Sequence, residues 1–217
     1  NGLHEGLSAG QHVVDCGTTH PMATIEFHKR LEKSAIKFLD APVSGMEQRA
    51  IEGTLTTMAG GALDVFERVK PVLESFSKTV IFMGGAGCRQ LAKVINNVFF
   101  NISCAAVAEL LPLAVKMGLD PQKIIEVAGT GTGQSFGLNF FAPLILKRDF
   151  KQGYPMKKAY KDMSSIMEIM NAYQIPIPVT QAALMTYQMA LNQNLGDESK
   201  GAMVKVWEKV LNVEVKN

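Results

Sequence analysis

The sequence predicts an α/β layer followed by an all-α part, on three observations. Up to about residue 85, short apolar runs ending in Pro or Gly alternate with amphipathic stretches. Beyond that point the strand signals stop. The most apolar stretch of the chain, about 89–117, is far too long for a strand and reads as a single helix.

The elements follow in order. "QHVVDC" (11–16) reads as a strand. "PMATIEFHKRLEKS" (21–34) reads as a helix, with Pro21 in its first turn and Thr19 or His20 before it. "IKFLDAP" (36–42), "TLTTMAGG" (54–61) and "TVIFMGG" (79–85) read as strands. Residues 62–77 are helical by spacing, with Val65, Val69, Val72 and Leu73 on one side. Strands separated by helices of this length predict a βαβ layer with at least partly parallel strands.

In the second part the long helix ends at Gly118, a C-cap residue. At ~1.5 Å per residue it is on the order of 43 Å long. Only Glu109 and Lys116 are charged between Val98 and Gly118, so burial on most faces is expected, with a second subunit covering what one chain cannot. Asp120-Pro121 opens the next helix. Further helical stretches are expected at 133–147, 155–174, 177–194 and 199–212. "GTGTGQSFG" (129–137) is glycine-rich but follows a helix and does not match GxGxxG, so it reads as a helix–helix turn lining a cleft.

With 217 residues, 47% hydrophobic and 19% charged, the chain can bury a core of one and a half to two domains. A net charge of +2 gives no ground for a nucleic-acid or anionic-membrane partner. No run of about 18 apolar residues lacks a polar break, and no basic-then-apolar leader opens the chain. Cys16, Cys88 and Cys104 are odd in number and form no CxxC, and the four histidines lack metal spacing. A reducing, cytoplasmic compartment without a metal site is the expectation. The chain begins with Asn and soon enters a strand, which reads as a fragment or a processed chain.

Three groups carry candidate chemistry. In "FLDAPVSGMEQRAIEGTLTTMAGG" (38–61), a strand ends in Pro-Val-Ser-Gly. That presents backbone N–H groups and the Ser44 hydroxyl at a strand's C-terminal edge, where ligands of open α/β sheets sit and where a carboxylate is suited. In "GCRQLAKVINN" (87–97), Lys93 and Asn97 stand one helical turn apart. A desolvated lysine beside a carboxamide can exchange a proton near neutrality, because burial disfavours the ammonium. Spacing alone, however, favours a lysine that snorkels to water. In "PMKKAYKDM" (155–163), Lys157, Lys158 and Lys161 form a basic edge that suits an anionic group or simply a solvated face.

Taken together these motifs resemble the β-hydroxyacid dehydrogenase family, which includes 3-hydroxyisobutyrate dehydrogenase, tartronate semialdehyde reductase and, more distantly, 6-phosphogluconate dehydrogenase. "VVDCGTTHP", "FLDAPVSG" with "GTLTTMAGG", "GCRQLAKVINN" and "YKDM" fall in the family's order over nearly the whole chain. The resemblance implies residues 1–86 as the C-terminal part of a Rossmann-like dinucleotide-binding domain. It implies residues 87–217 as an all-α substrate and dimerisation domain built on one long central helix. It implies Lys93 as the catalytic lysine, with Ser44, Gly45, Met46 and Asn97 as substrate-binding residues. Thr18 and Lys161 become cofactor contacts, the cofactor being NAD or NADP.

The pattern departs from the family at Gly17, Met46, Arg49 and Arg89, and Met46 and Arg89 add bulk or charge near the implied site. The GxGxxG turn that precedes this region in the family does not occur in the 217 residues. Two readings follow, ahead of a third, a related imine reductase, for which the resemblance implies another residue at the position of Lys93. One is an NAD(P)-dependent oxidoreductase moving hydride between the nicotinamide and a small 3-hydroxy acid or semialdehyde, as a homodimer, either active or inactive as this chain. The other is an incompetent truncated homolog that serves as a dimerisation or interaction module.

Overall fold

A computed structural model of the chain describes residues 2–19, 21–85 and 88–217. His20, one of the two residues expected before the first helix, and Gly87, which opens the lysine motif, lie outside the described residues, as does the side chain of Arg89. The chain forms two compact units, Asn1–Ile95 and Asn96–Asn217.

The first unit opens with a single 3-10 turn, Leu3–Gly6. Strand β1 (His12–Asp15) then leads into helix α1 (Pro21–Glu32) and strand β2 (Lys37–Asp40). β1 and β2 pair in parallel, with Val14 opposite Leu39. The chain from Lys37 to Ser44 changes partners at Ala41-Pro42. Ala41 N–H donates to Asp15 O at 2.7 Å, while the Asp40 and Pro42 carbonyls accept from Gly60 N–H and Met58 N–H at 3.1 and 3.0 Å. Pro42 has no N–H to give a ladder, so the strand bends there.

Beyond the bend, strand β3 (Val43–Ser44) runs antiparallel to β4 (Leu55–Ala59), and a short helix α2 (Met46–Ile51) joins them. Helix α3 (Leu63–Glu74) follows, and β5 (Ser77–Phe82) returns parallel to β4. A buried hydroxyl pair, Thr57 Oγ1 and Ser77 Oγ at 2.6 Å, links β4 to β5.

α3 packs Val65, Phe66 and Leu73 on Leu39, Ala41 and Ala59, with Phe66 and Phe82 rings 4.8 Å apart. Val72, expected on this inner side, is instead 64% exposed. At 100° per residue the buried arc centres between Val69 and Leu73 and takes in Phe66, which leaves Val72 at its rim. The sequence reading also passed over β3 and α2, whose two and six residues are too short for any period to register.

The second unit is all helix apart from an isolated bridge between Pro155 and Ser199. Helix α4 (Cys88–Lys116) begins in the first unit and continues through the second. It closes at Gly118, which takes φ +80° as a glycine cap does. Helix α5 (Pro121–Thr130) is capped by Asp120, whose Oδ1 accepts from Gln122 and Lys123 N–H at 2.8 and 3.3 Å. The Gly-rich stretch is a turn, ended by Ser135, which caps helix α6 (Phe136–Leu146) through Leu138 N–H at 3.1 Å. Helices α7 (Met156–Tyr173) and α8 (Pro178–Asn192), a 3-10 turn at Lys200–Met203 and α9 (Val204–Leu211) complete the unit. The order read from the sequence, α/β then all-α, is the observed one.

α4 is the central helix of this unit. Phe100 lies against Phe136 and Phe141 of α6, and Tyr187 of α8 donates to Asn101 O at 3.2 Å. By length and composition Gln90–Lys116 could also cross a membrane, and half of its most apolar window is buried inside the protein. The expectation of burial on most faces is not met by this chain alone. Phe99, Ala106, Leu110, Leu113 and Met117 stay exposed, at spacings that place them on one narrow face.

Candidate active site

The loop after β1 shows how the first unit builds a rigid edge. Asp15 begins an Asx turn: Oδ1 accepts from Gly17 N–H at 2.8 Å and Oδ2 from the Thr19 hydroxyl at 3.1 Å. Gln90, fully buried in the first turn of α4, acts from the other side. Its Oε1 accepts from Thr19 N–H at 3.1 Å and its Nε2 donates to Gly17 O at 3.2 Å. Thr18 lies between two pinned residues and is itself exposed, at the C-terminal edge of parallel β1 and β2.

Ser44 ends β3, paired with Thr56 across the ladder. Gly45 follows at φ +146°, where a Cβ would stand 2.9 Å from both Arg49 Cβ and Leu55 Cδ2. No side chain fits there. Met46 takes φ +62°, a left-handed conformation that costs an L-residue roughly 1–2 kcal/mol. Two successive positive-φ residues turn the chain sharply between β3 and α2, so Ser44 sits at a bend of fixed shape.

Lys93 lies in α4 one turn from Gln90 and is only 8% exposed. The snorkelling geometry that spacing favours is therefore not adopted. Asn97 follows one turn later on the same helix face. Its Nδ2 donates to Asp162 Oδ2 at 2.8 Å, and its Oδ1 accepts from Asn96 Nδ2 at 3.3 Å. Asp162 belongs to the "KDM" segment of α7, which ties the asparagine to that motif inside the second unit. Lys161, its neighbour, is exposed. Of the other basic residues on this edge, Lys157 pairs with Asp197 and Lys158 lies 5.9 Å from the Tyr154 ring centroid.

The sequence reading missed Asp15, Gln90 and Asp162. Each had a signal. D-x-G-T-T is an Asx-turn pattern, Gln90 precedes Lys93 by three on one helix face, and Asp162 stands beside a lysine already singled out.

Comparison with known proteins decides the family. Residues 1–85 match the NAD binding domain of 6-phosphogluconate dehydrogenase. Residues 85–207 match the NAD-binding domain of NADP-dependent 3-hydroxyisobutyrate dehydrogenase. The 2-(hydroxymethyl)glutarate dehydrogenase of Eubacterium barkeri is 33% identical over 99% of this chain and 71% of its own length.

The chain belongs to the β-hydroxyacid dehydrogenase family.

The 2-hydroxy-3-oxopropionate reductase of Escherichia coli is 31% identical, covering 98% of this chain and 73% of its own. The crystal structure of a 3-hydroxyisobutyrate dehydrogenase from Salmonella typhimurium superposes with a TM-score of 0.88 at 26% identity, over 94% of this chain and 72% of that one. The first unit is accordingly Rossmann-like, and the chain is an oxidoreductase of the NAD(P)-dependent hydroxyacid dehydrogenase type.

The residues present fit such a cofactor at one edge of the first unit. The pinned loop holds exposed Thr18 at the strand edge where dinucleotides bind in open α/β sheets.

Proposed function

We propose that the chain transfers hydride between NAD(P) and a small 3-hydroxy acid or its semialdehyde, with Lys93 as the proton-exchanging group. The observation that carries the reading is the buried Lys93 one turn ahead of an asparagine whose amide is oriented by Asp162. The bound nicotinamide supplies hydride exchange with the substrate carbon.

The chain's own residues do the rest. Ser44, Gly45 and Met46 bind the substrate carboxylate, since a sharp positive-φ turn presents backbone N–H groups to an anion. Asn97 holds the substrate hydroxyl oxygen through the second N–H of Nδ2, the first being given to Asp162, so that the hydroxyl proton stays directed at Lys93. Lys93 accepts the hydroxyl proton in oxidation and returns it in reduction, in a site with little water to screen it. Thr18 contacts the nicotinamide side of the cofactor. Lys161, exposed at the start of α7, contacts the cofactor or the substrate anion.

The named substrates of the relatives, a hydroxymethyl-dicarboxylic acid and a hydroxy-oxo-acid, share a carboxylate and a hydroxyl or carbonyl nearby, which is the chemistry these residues suit. Met46 narrows the carboxylate loop where the family pattern has glycine. The exposed apolar face of α4, with Phe99, Leu110, Leu113 and Met117, is the surface for a second copy in a cytoplasmic homodimer.

The test is titration with NADH and NADPH, followed by fluorescence or calorimetry, and then turnover on a panel of 3-hydroxy acids and semialdehydes. Binding of one cofactor with reduction or oxidation of a panel member is expected. No binding at millimolar cofactor overturns the reading in favour of a dimerisation or interaction module. Sedimentation of wild type and Phe99→Glu tests the dimer; a wild-type monomer at micromolar concentration overturns it.

A further inference from the structure

We infer that Gln90 is a positioning residue that ties the cofactor loop to the helix bearing Lys93. The inference rests on the proposed roles of Thr18 and Lys93. The geometry is specific to a carboxamide. The side chain is fully buried, its oxygen accepts from Thr19 N–H at 3.1 Å, and its nitrogen donates to Gly17 O at 3.2 Å. One residue thus closes both backbone groups that flank Thr18. Those groups lie in a half-buried loop with no ladder to satisfy them, so the side chain of Gln90 supplies what a strand partner would.

Asp15 holds the same loop from the opposite side through Gly17 N–H and the Thr19 hydroxyl. Asp15 anchors the loop to its own strand, whereas Gln90 anchors it to α4. Gln90 precedes Lys93 by three residues, on adjacent positions of one face. The clamp therefore sets the Thr18 loop at a fixed distance from the lysine's helix turn. A loop free to move against that turn would hold the nicotinamide less tightly and at a poorer hydride-transfer distance. Misplacement of about 1 Å is enough to cost rate in such reactions.

Two variants test the clamp. Gln90→Leu keeps the volume and removes both hydrogen bonds. Hydrogen–deuterium exchange of the cofactor-free chain reads the Thr19 amide directly, and that amide should exchange about tenfold or more faster than in wild type. Cofactor affinity should fall about tenfold, with the KM for the hydroxy acid unchanged. Gln90→Glu gives the sharper signature. As a carboxylate it accepts from Thr19 N–H but repels the Gly17 carbonyl. Once protonated, its O–H donates to Gly17 O and both bonds return. Its cofactor affinity should recover towards wild type as pH falls from about 8 to 5, a trend wild type lacks.

Unchanged Thr19 exchange in Gln90→Leu, or pH-independent cofactor affinity in Gln90→Glu, overturns the inference. Thr18→Ala tests the underlying reading separately. Full cofactor affinity in that variant removes the cofactor role of Thr18, while the exchange of Thr19 still decides the clamp.

Discussion

Residues 2–95 and 96–217 differ in what their long-range polar side chains hold. In the first unit, side chains bind backbone: Asp15 and Gln90 close on Gly17 and Thr19, and the chain bends at Gly45-Met46 and at Gly61 through positive φ. In the second unit, several side chains join one helix to another. Asn101 Oδ1 accepts from Lys200 Nζ at 2.5 Å, and Thr186 Oγ1 donates to Glu109 at 2.6 Å. Arg148 grips Glu208 through two nitrogens, and the C-terminal Val215 N–H donates to the same carboxylate at 2.7 Å. Strand ends leave backbone groups that need partners, whereas helices satisfy all but their terminal groups internally. The first unit should therefore be sensitive to backbone shape, and the second to loss of one buried polar partner.

The largest effect expected is on chemistry. Lys93→Ala should lower turnover by roughly 10²–10⁴-fold while the circular dichroism spectrum stays that of wild type. Near-normal steady-state turnover would remove the lysine's role. Next comes the buried pairing of the second unit. Asn101→Leu leaves Lys200, itself buried and 3.8 Å from the Phe100 ring centroid, without its amide oxygen. A loss of about 3 kcal/mol in urea unfolding is expected, as for a charged group deprived of a buried hydrogen bond. A change under about 0.5 kcal/mol would break the contrast drawn above.

Backbone shape in the first unit is tested by Gly61→Ala. Gly61 has φ +142°, and its Cβ would lie 2.9 Å from the Phe38 carbonyl oxygen. The variant should lose about 2 kcal/mol, whereas Gly84→Ala, with open space around its Cβ, should lose less. Equal losses would show that crowding by Phe38 contributes nothing.

The smallest effect is a pH dependence of the second unit. Burial pushes the Cys104 thiol from 9.0 up to about 12, against the lowering influence of Lys200 and of a hydrogen bond with Ser103. Because the folded pKa is raised, the folded state keeps a proton that the unfolded chain loses above pH 9. This contribution is full below pH 9 and is lost as pH rises towards 12, by about 1 kcal/mol per pH unit. Cys104→Ala should flatten that slope in unfolding measured between about pH 9 and 10.5; an unchanged slope would assign it to other groups.

Periodicity and punctuation made most elements legible. α5 and its Asp120 cap, the helix end at Gly118 and the strand runs around β1, β2, β4 and β5 all follow from residues within a few positions of each other. α2 and β3 were not legible, being shorter than any period, and Val72 was misplaced because the buried arc of α3 is set by what α3 packs against. Of the candidate site, Ser44, Lys93, Asn97 and Lys161 stood out through motifs in the family's order, where type and spacing alone favoured ordinary structural readings. Their supports did not. Gln90 reaches across 71 residues to Thr19, and Asp162 across 65 to Asn97, distances over which no local pattern carries information.

By itself the sequence determined the alternation of strands and helices, the long apolar helix and the order of motifs, since each depends on neighbours along the chain. Only the tertiary structure decided that Lys93 is buried instead of reaching water, that Gln90 clamps the Thr18 loop, and that one face of α4 remains uncovered. Burial and pairing depend on which distant segments fold back against a residue, and that is a property of packing rather than of local sequence.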